Sequence, residues 1–300
     1  MRPEWKNRSL DPAIRLPEDV IIYGCGVVVY FVLHYIVKQV LAAQLIKRVA
    51  KDPKKVDERK FTRALWKAFC FGGLSLCGAI CLYGESWMLT PLGITLEWPN
   101  NETPSKVNIY YVIETVYYTG SFITMFLEEK QSDFYLMIWH HFATLVLVGF
   151  SYRYNFLRYG VFIMFLHDIS DPWMDSAKIA VYLGHQTLGN IMFIIFAFMF
   201  IIPRIFVYLV MILIPGYGFL WEFGSKLLVP IWGLLLAVFV LNAYWSVLIV
   251  RMALEFIKKG RVEKDIRDIA PSKKAVAGKK EAKAAKKAVK KAEQKAKKVK

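Results

Sequence analysis

Cysteine and histidine are scarce: the 300 residues hold four of the first and five of the second. Cys25, Cys70, Cys77 and Cys81 all lie in apolar stretches, with neither zinc-ligand spacing nor a secreted disulfide pattern, so they are expected to be small core residues. Five histidines are too few for the histidine-rich di-iron sites of membrane redox enzymes. His140 and His141, as neighbours, point about 100° apart on a helix, whereas joint ligation of one ion wants i, i+3 or i+4 spacing. No metal is therefore expected. Acidic residues are also in short supply, 24 against 40 Lys and Arg. No internal hydropathy repeat is visible, which argues against a proton-coupled transporter. The first 19 residues are polar, carry Pro3, Pro12 and Pro17, and lead into an apolar run long enough to span and stay, so no cleavable leader is expected.

What the chain has in abundance is hydrocarbon. Hydrophobic residues make up 56% of it and aromatics 15%, with a mean hydropathy of +0.35, more than a soluble domain of this size carries. Several apolar runs exceed the roughly 20 residues that cross a bilayer. The expected fold is an all-α polytopic membrane protein of about seven transmembrane helices, at 20–42, 64–86, 107–127, 133–151, 157–182, 188–214 and 227–256. Spans 107–127 and 157–182 hold the most polar groups. The organisation reads as an N-terminal segment (1–19), a first helix (20–45), a basic loop (46–66), a bundle domain (64–256) and a Lys-rich tail (257–300).

Charge is unevenly placed as well. Residues 273–300 carry thirteen lysines against Glu281 and Glu293, so this stretch holds +11 of the formal +16 and the rest only +5. Lys and Ala alone build no core, so the tail is expected to be solvated. Simple electrostatics lets it attract RNA or anionic lipid, but no nucleic-acid partner is assigned. Lys47, Arg48, Lys51, Lys54, Lys55, Arg59, Lys60, Arg63 and Lys67 crowd the segment between the first two spans, and the positive-inside rule puts it in the cytosol. Seven spans then give a luminal N-terminus and a cytosolic C-terminus. The sequons at Asn7 and Asn101 fall on segments assigned to the lumen and are candidate glycosylation sites. Lys297 and Lys298 stand where coat machinery reads a dilysine retrieval signal, which points to the endoplasmic reticulum membrane.

Ionisable groups nonetheless persist inside two spans, where each costs a few kcal/mol. "IWHHFATLVL" (138–147) contains His140 and His141, and "LHDISDPWMD" (166–175) contains His167, Asp168, Asp171 and Asp175. At 1.5 Å per residue the histidine pair lies about 10–12 Å into its helix. On an antiparallel neighbour Asp175, Asp171 and Asp168 lie about 10, 16 and 21 Å from the same side. Positions 168, 171, 175 and 178 follow the repeat of one helix face, Asp175 and Lys178 are spaced for an ion pair, and Pro172 is expected to kink the helix. A polar stripe facing two histidines in a low-dielectric slot suits acid–base chemistry.

The stretch "SDFYLMIWHHFATLVLVGFSYRYNFLRYGVFIMFLHDISDPWMDSAKIAVYL" (132–183) resembles the Lag1 motif of the ceramide synthases, which carry the TLC fold. The matching pieces are the His-His pair, the following Ser-Tyr, an Asn-Phe-x-Arg-x-Gly run and His-Asp-x-Ser-Asp. The homeobox-like insert of many animal members is absent, and the Lys/Ala tail lies outside the family pattern. The resemblance implies His140, His141, Asp168 and Asp171 as catalytic residues, with His167, Asp175 and Lys178 in support. It implies transfer of a fatty acyl group from acyl-CoA to the amine of a sphingoid base (sphinganine, sphingosine or phytosphingosine), giving (dihydro)ceramide. No cofactor is expected, since acyl-CoA is a substrate and its thioester is already activated. An imidazole would either take the amine's proton or carry the acyl group itself, and an Asp would fix its tautomer. Expected partners are the two substrates and membrane lipid, with a homodimer or a small accessory membrane subunit left open. The loop "PGYGFLWEFGSK" (215–226) is a candidate for setting acyl length. The alternative is a non-catalytic TLC-fold protein, lipid-handling or translocon-associated, which would not need the full His-His and His-Asp-x-x-Asp set.

Overall fold

A computed structural model describes residues 18–91, 93–95, 98, 104–223, 226 and 228–260, and no strand occurs among them. Helix α1 (Glu18–Ile36) passes through a π-turn at Val37–Leu41 into α2 (Ala42–Val49), so the first rod outruns the expected 20–45. Lys47 and Arg48 occupy its last turn, where long aliphatic stems let charged heads reach water. Helix α3 (Glu58–Leu82) begins earlier than expected because the Asp57 side chain accepts the Lys60 N–H at 3.3 Å and satisfies one orphan donor of the first turn. The basic segment therefore lies mostly on helix ends, with only 50–57 between them.

Next come α4 (Ser105–Leu127), α5 (Phe134–Arg153), α6 (Leu157–Asp168), α7 (Asp171–Tyr182) and α8 (Gln186–Ile201). Helix α8 runs on through π-turns at Ile202–Val207 and Leu209–Leu213 into α9 (Ile214–Phe223), and α10 (Leu228–Lys259) follows. Pro203 and Pro215 each lack an N–H, and widened turns absorb the gaps without ending the rod. The stretch expected as a loop at 215–226 is thus largely helical.

Among the described residues, five stretches are long and apolar enough to cross a membrane: Ile21–Val49, Glu58–Leu82, Phe134–Arg153, Gln186–Trp221 and Leu228–Lys258. The chain is a multi-pass membrane protein. The two expected spans outside this set are the polar ones. Helix α4 has 23 residues but buries Glu114 among its tyrosines. The stretch 157–182 is two 12-residue helices, interrupted at Ile169–Ser170 because Pro172 has no N–H for the Asp168 carbonyl. Both linking residues keep right-handed helical angles and both halves pack along α3, so the chain kinks there and continues. Residues His167 to Lys178 accordingly sit on two helices and not on one continuous stripe.

Tyr30 ties α1, α3 and α4 together. Its hydroxyl accepts from Trp66 Nε1 at 3.1 Å, and its ring lies against Gly120, where any Cβ would collide. Outward-facing residues such as Val28, Leu76, Phe198, Phe206 and Val240 are exposed, the apolar surface that hydrocarbon covers. All four cysteines are free thiols. Only Cys81 is buried as expected; Cys70 and Cys77 are half-buried, and the helical period turns Cys25 to the outside.

Candidate functional site

The 132–183 stretch builds its own corner. Asn155 adopts the left-handed region (φ 57°) and the Phe156 N–H bonds the Ser151 carbonyl at 2.8 Å, a Schellman-type end to α5. Arg158 donates to the Gly93 carbonyl at 3.2 Å. Gly160 leaves room for the Tyr111 hydroxyl, which also meets Ser151 Oγ at 3.0 Å. The Ser, Asn, Arg and Gly of the motif therefore turn the chain and bring α6 back beside α5.

Both histidines of α5 are buried. His141 Nδ1 lies 2.9 Å from the Met137 carbonyl, which only accepts, so Nδ1 carries the hydrogen. Nε2 then has its lone pair free to accept from the Ser121 hydroxyl at 3.2 Å. His167, at the end of α6, is held in the same way: Nδ1–H donates to the Ile163 carbonyl at 2.8 Å and Nε2 accepts from Asn242 Nδ2 at 3.0 Å. His140 differs. Its Nδ1 is buried without a hydrogen-bond partner. Its ring stands edge-on to Trp245 at 5.4 Å and to His141 at 5.7 Å, and 6.3 Å from the ring of His167.

The carboxylates engage other groups. Fully buried Asp168 accepts from the Tyr110 hydroxyl at 2.9 Å and meets Glu114, also fully buried. Two facing carboxyls hydrogen-bond only through a proton that they share. Asp171 accepts from Arg204 Nη2 at 2.6 Å and from Ser170 Oγ at 3.0 Å. Arg204 also donates to the His167 carbonyl, and its guanidinium lies 4.3 Å from the Phe200 ring centre. Asp175 pairs with Lys178 at 3.7 Å, matching the expected spacing. The tautomers of His141 and His167 are thus set by i−4 carbonyls, a hydroxyl and an amide, where the sequence suggested an aspartate. A helical His reaches the carbonyl one turn back more readily than a side chain on the kinked neighbour.

Two cavities meet at this cluster. A chamber of about 470 Å³ opens between Lys51, Lys55, Lys67 and Lys178 and runs inward to His140, His141, Asp171 and Arg204. Its mouth is fixed by Lys51, whose N–H bonds the Leu183 carbonyl at 3.0 Å. Beyond the histidines an apolar slot of about 100 Å³ continues towards Phe219, Leu220 and Trp232. Of the described residues, His140 alone lines both spaces.

Arg204, Glu114, Asn242, Tyr110 and Ser121 were not anticipated as site residues. Arg204 and Glu114 were detectable, each a single charge inside a long span, where such groups face a partner or cavity. Ser121 and Asn242 carry no comparable signal. Asn7, Asn101, Lys297 and Lys298 lie outside the described residues.

The family model of the TLC domain matches residues 60–251. Ceramide synthase 4 of Bos taurus and of Homo sapiens are each 32% identical to the chain, over 215 and 218 residues, covering 70% of this chain and 54% of either relative. Ceramide synthase LOH1 of Arabidopsis thaliana is 30% identical over 249 residues, 76% of this chain and 77% of that protein. The chain spans about half the length of the mammalian relatives.

Proposed function

We infer that this chain, which belongs to the TLC-domain family of the Lag1 ceramide synthases, moves a fatty acyl group from acyl-CoA to the amine of a sphingoid base. The observation that carries the reading is His140 at the junction of a basic-mouthed chamber and an apolar slot. Phosphates suit the lysines at the mouth, and an alkyl chain suits the slot. A thioester between those two parts falls at His140. The membrane is that of the endoplasmic reticulum, with the basic segment, the C-terminus and soluble CoA on the cytosolic side.

The uncommitted imidazole of His140 attacks the thioester carbonyl. The C–S bond breaks and CoA leaves as the thiolate, which takes up a proton. The chamber then admits the sphingoid amine, whose lone pair displaces the imidazole and forms the amide. A single chamber that serves CoA and amine in turn favours this two-step order over direct transfer. The thioester supplies the driving force, so neither ATP nor a redox centre is needed.

The test uses purified protein. With acyl-CoA alone it should release about one CoA per chain, and His140 should gain the mass of the acyl group. Sphinganine should then yield the N-acyl product, and His140→Ala should abolish the burst. CoA release only when both substrates are present would replace the acyl-imidazole with base catalysis. No transfer from any acyl-CoA would refute the reading.

A further inference from the structure

The reaction above must discard a proton. A sphingoid ammonium enters with three N–H bonds, the amide keeps one, the CoA thiol takes one, and the third has to leave. The mouth of the chamber is a poor exit for it. Lys51, Lys55 and Lys178 line it, outnumbering Asp52, and oppose the passage of positive charge.

A third cavity lies behind His141, with a volume of about 60 Å³. That exceeds the roughly 10–15 Å³ a water needs. Lys67, Ser121, Met137 and His141 line both it and the chamber, so these four form the wall between them. Its farther lining holds three carboxylates, buried Asp133 with Glu128 and Glu129, together with Arg63; Glu128 pairs with Arg63 at 2.7 Å and Glu129 with Arg59 at 2.6 Å. Ser121 Oγ sits in the shared wall, 3.2 Å from the His141 Nε2 lone pair.

We propose that Ser121, His141 and this carboxylate-bearing side cavity form the exit for the proton released in acyl transfer. The Ser121 oxygen accepts the proton from the chamber while its own hydrogen passes to His141 Nε2. The imidazolium, still held through Nδ1–H by the Met137 carbonyl, returns a proton through the same hydroxyl to the side cavity. Each atom regains its starting hydrogens. Ser121 is then a relay and positioning residue, and the second histidine of the pair has a role distinct from that of the first. The inference rests on the acyl-transfer reading.

Ser121→Ala tests it in the purified full chain. The CoA burst and kcat/KM for acyl-CoA should be unchanged, while kcat falls roughly tenfold or more. The solvent deuterium isotope effect on kcat should rise, and added imidazole buffer should restore the rate. Ser121→Thr and Ser121→Val, which differ only in a hydroxyl against a methyl, repeat the comparison if the alanine variant folds poorly; Thr should recover the rate and Val should not. A kcat within about twofold of the parent, or a loss that leaves the isotope effect unchanged and resists imidazole, overturns the proposal. Absence of N-acyl transfer in the unmodified protein would instead strike at the functional reading.

Discussion

Replacing Arg204 with Met removes the guanidinium that pairs with Asp171 while roughly keeping side-chain length. The pair is short, 2.6 Å, with side-chain exposures of 5% for Arg204 and 19% for Asp171. Removing one partner of a buried ion pair costs about 3–5 kcal/mol, and the partial access of Asp171 to the chamber puts this case near the lower end. The His167 carbonyl loses a donor as well, about 1 kcal/mol more. Arg204→Met is therefore expected to lower stability by about 4 kcal/mol. Asp171→Leu should cost about 3 kcal/mol, because it strands the guanidinium. The double variant strands neither charge and should lose only about 1–2 kcal/mol. Unfolding of the three purified variants in mixed micelles, titrated with SDS, reads these differences. Losses that add in the double variant would mean that the two groups act independently, and the ion pair would then not be what holds α7 against the π-turn.

Glu114→Gln keeps a donor towards Asp168 and should retain most stability, whereas Glu114→Leu leaves Asp168 with Tyr110 alone and should cost about 1–3 kcal/mol; the same micelle titration checks it, and equal losses would dismiss the shared proton. Protease treatment of sealed microsomes should remove a tag placed after Lys300 and spare one placed before Met1, as a cytosolic C-terminus and luminal N-terminus require.

The helical class and most span positions were legible because hydropathy is a property of the whole chain, and the Pro172 kink because a missing N–H is local. The helix ends were less so. Asp57 capping α3 and the π-turns that carry α8 through Pro203 depend on hydrogen bonds that composition does not reveal. The limit is sharpest at the site itself. From spacing, His140 and His141 are equivalent: both lie in one apolar run, and each has a carbonyl four residues back. They separate only when α4 arrives, because Ser121 is 20 residues away in sequence and reaches His141 alone. That contact, with the Met137 carbonyl, occupies both nitrogens of His141 and leaves His140 at the junction of chamber and slot. Division of labour between adjacent identical residues is thus a property of their neighbours, and those neighbours come from helix packing.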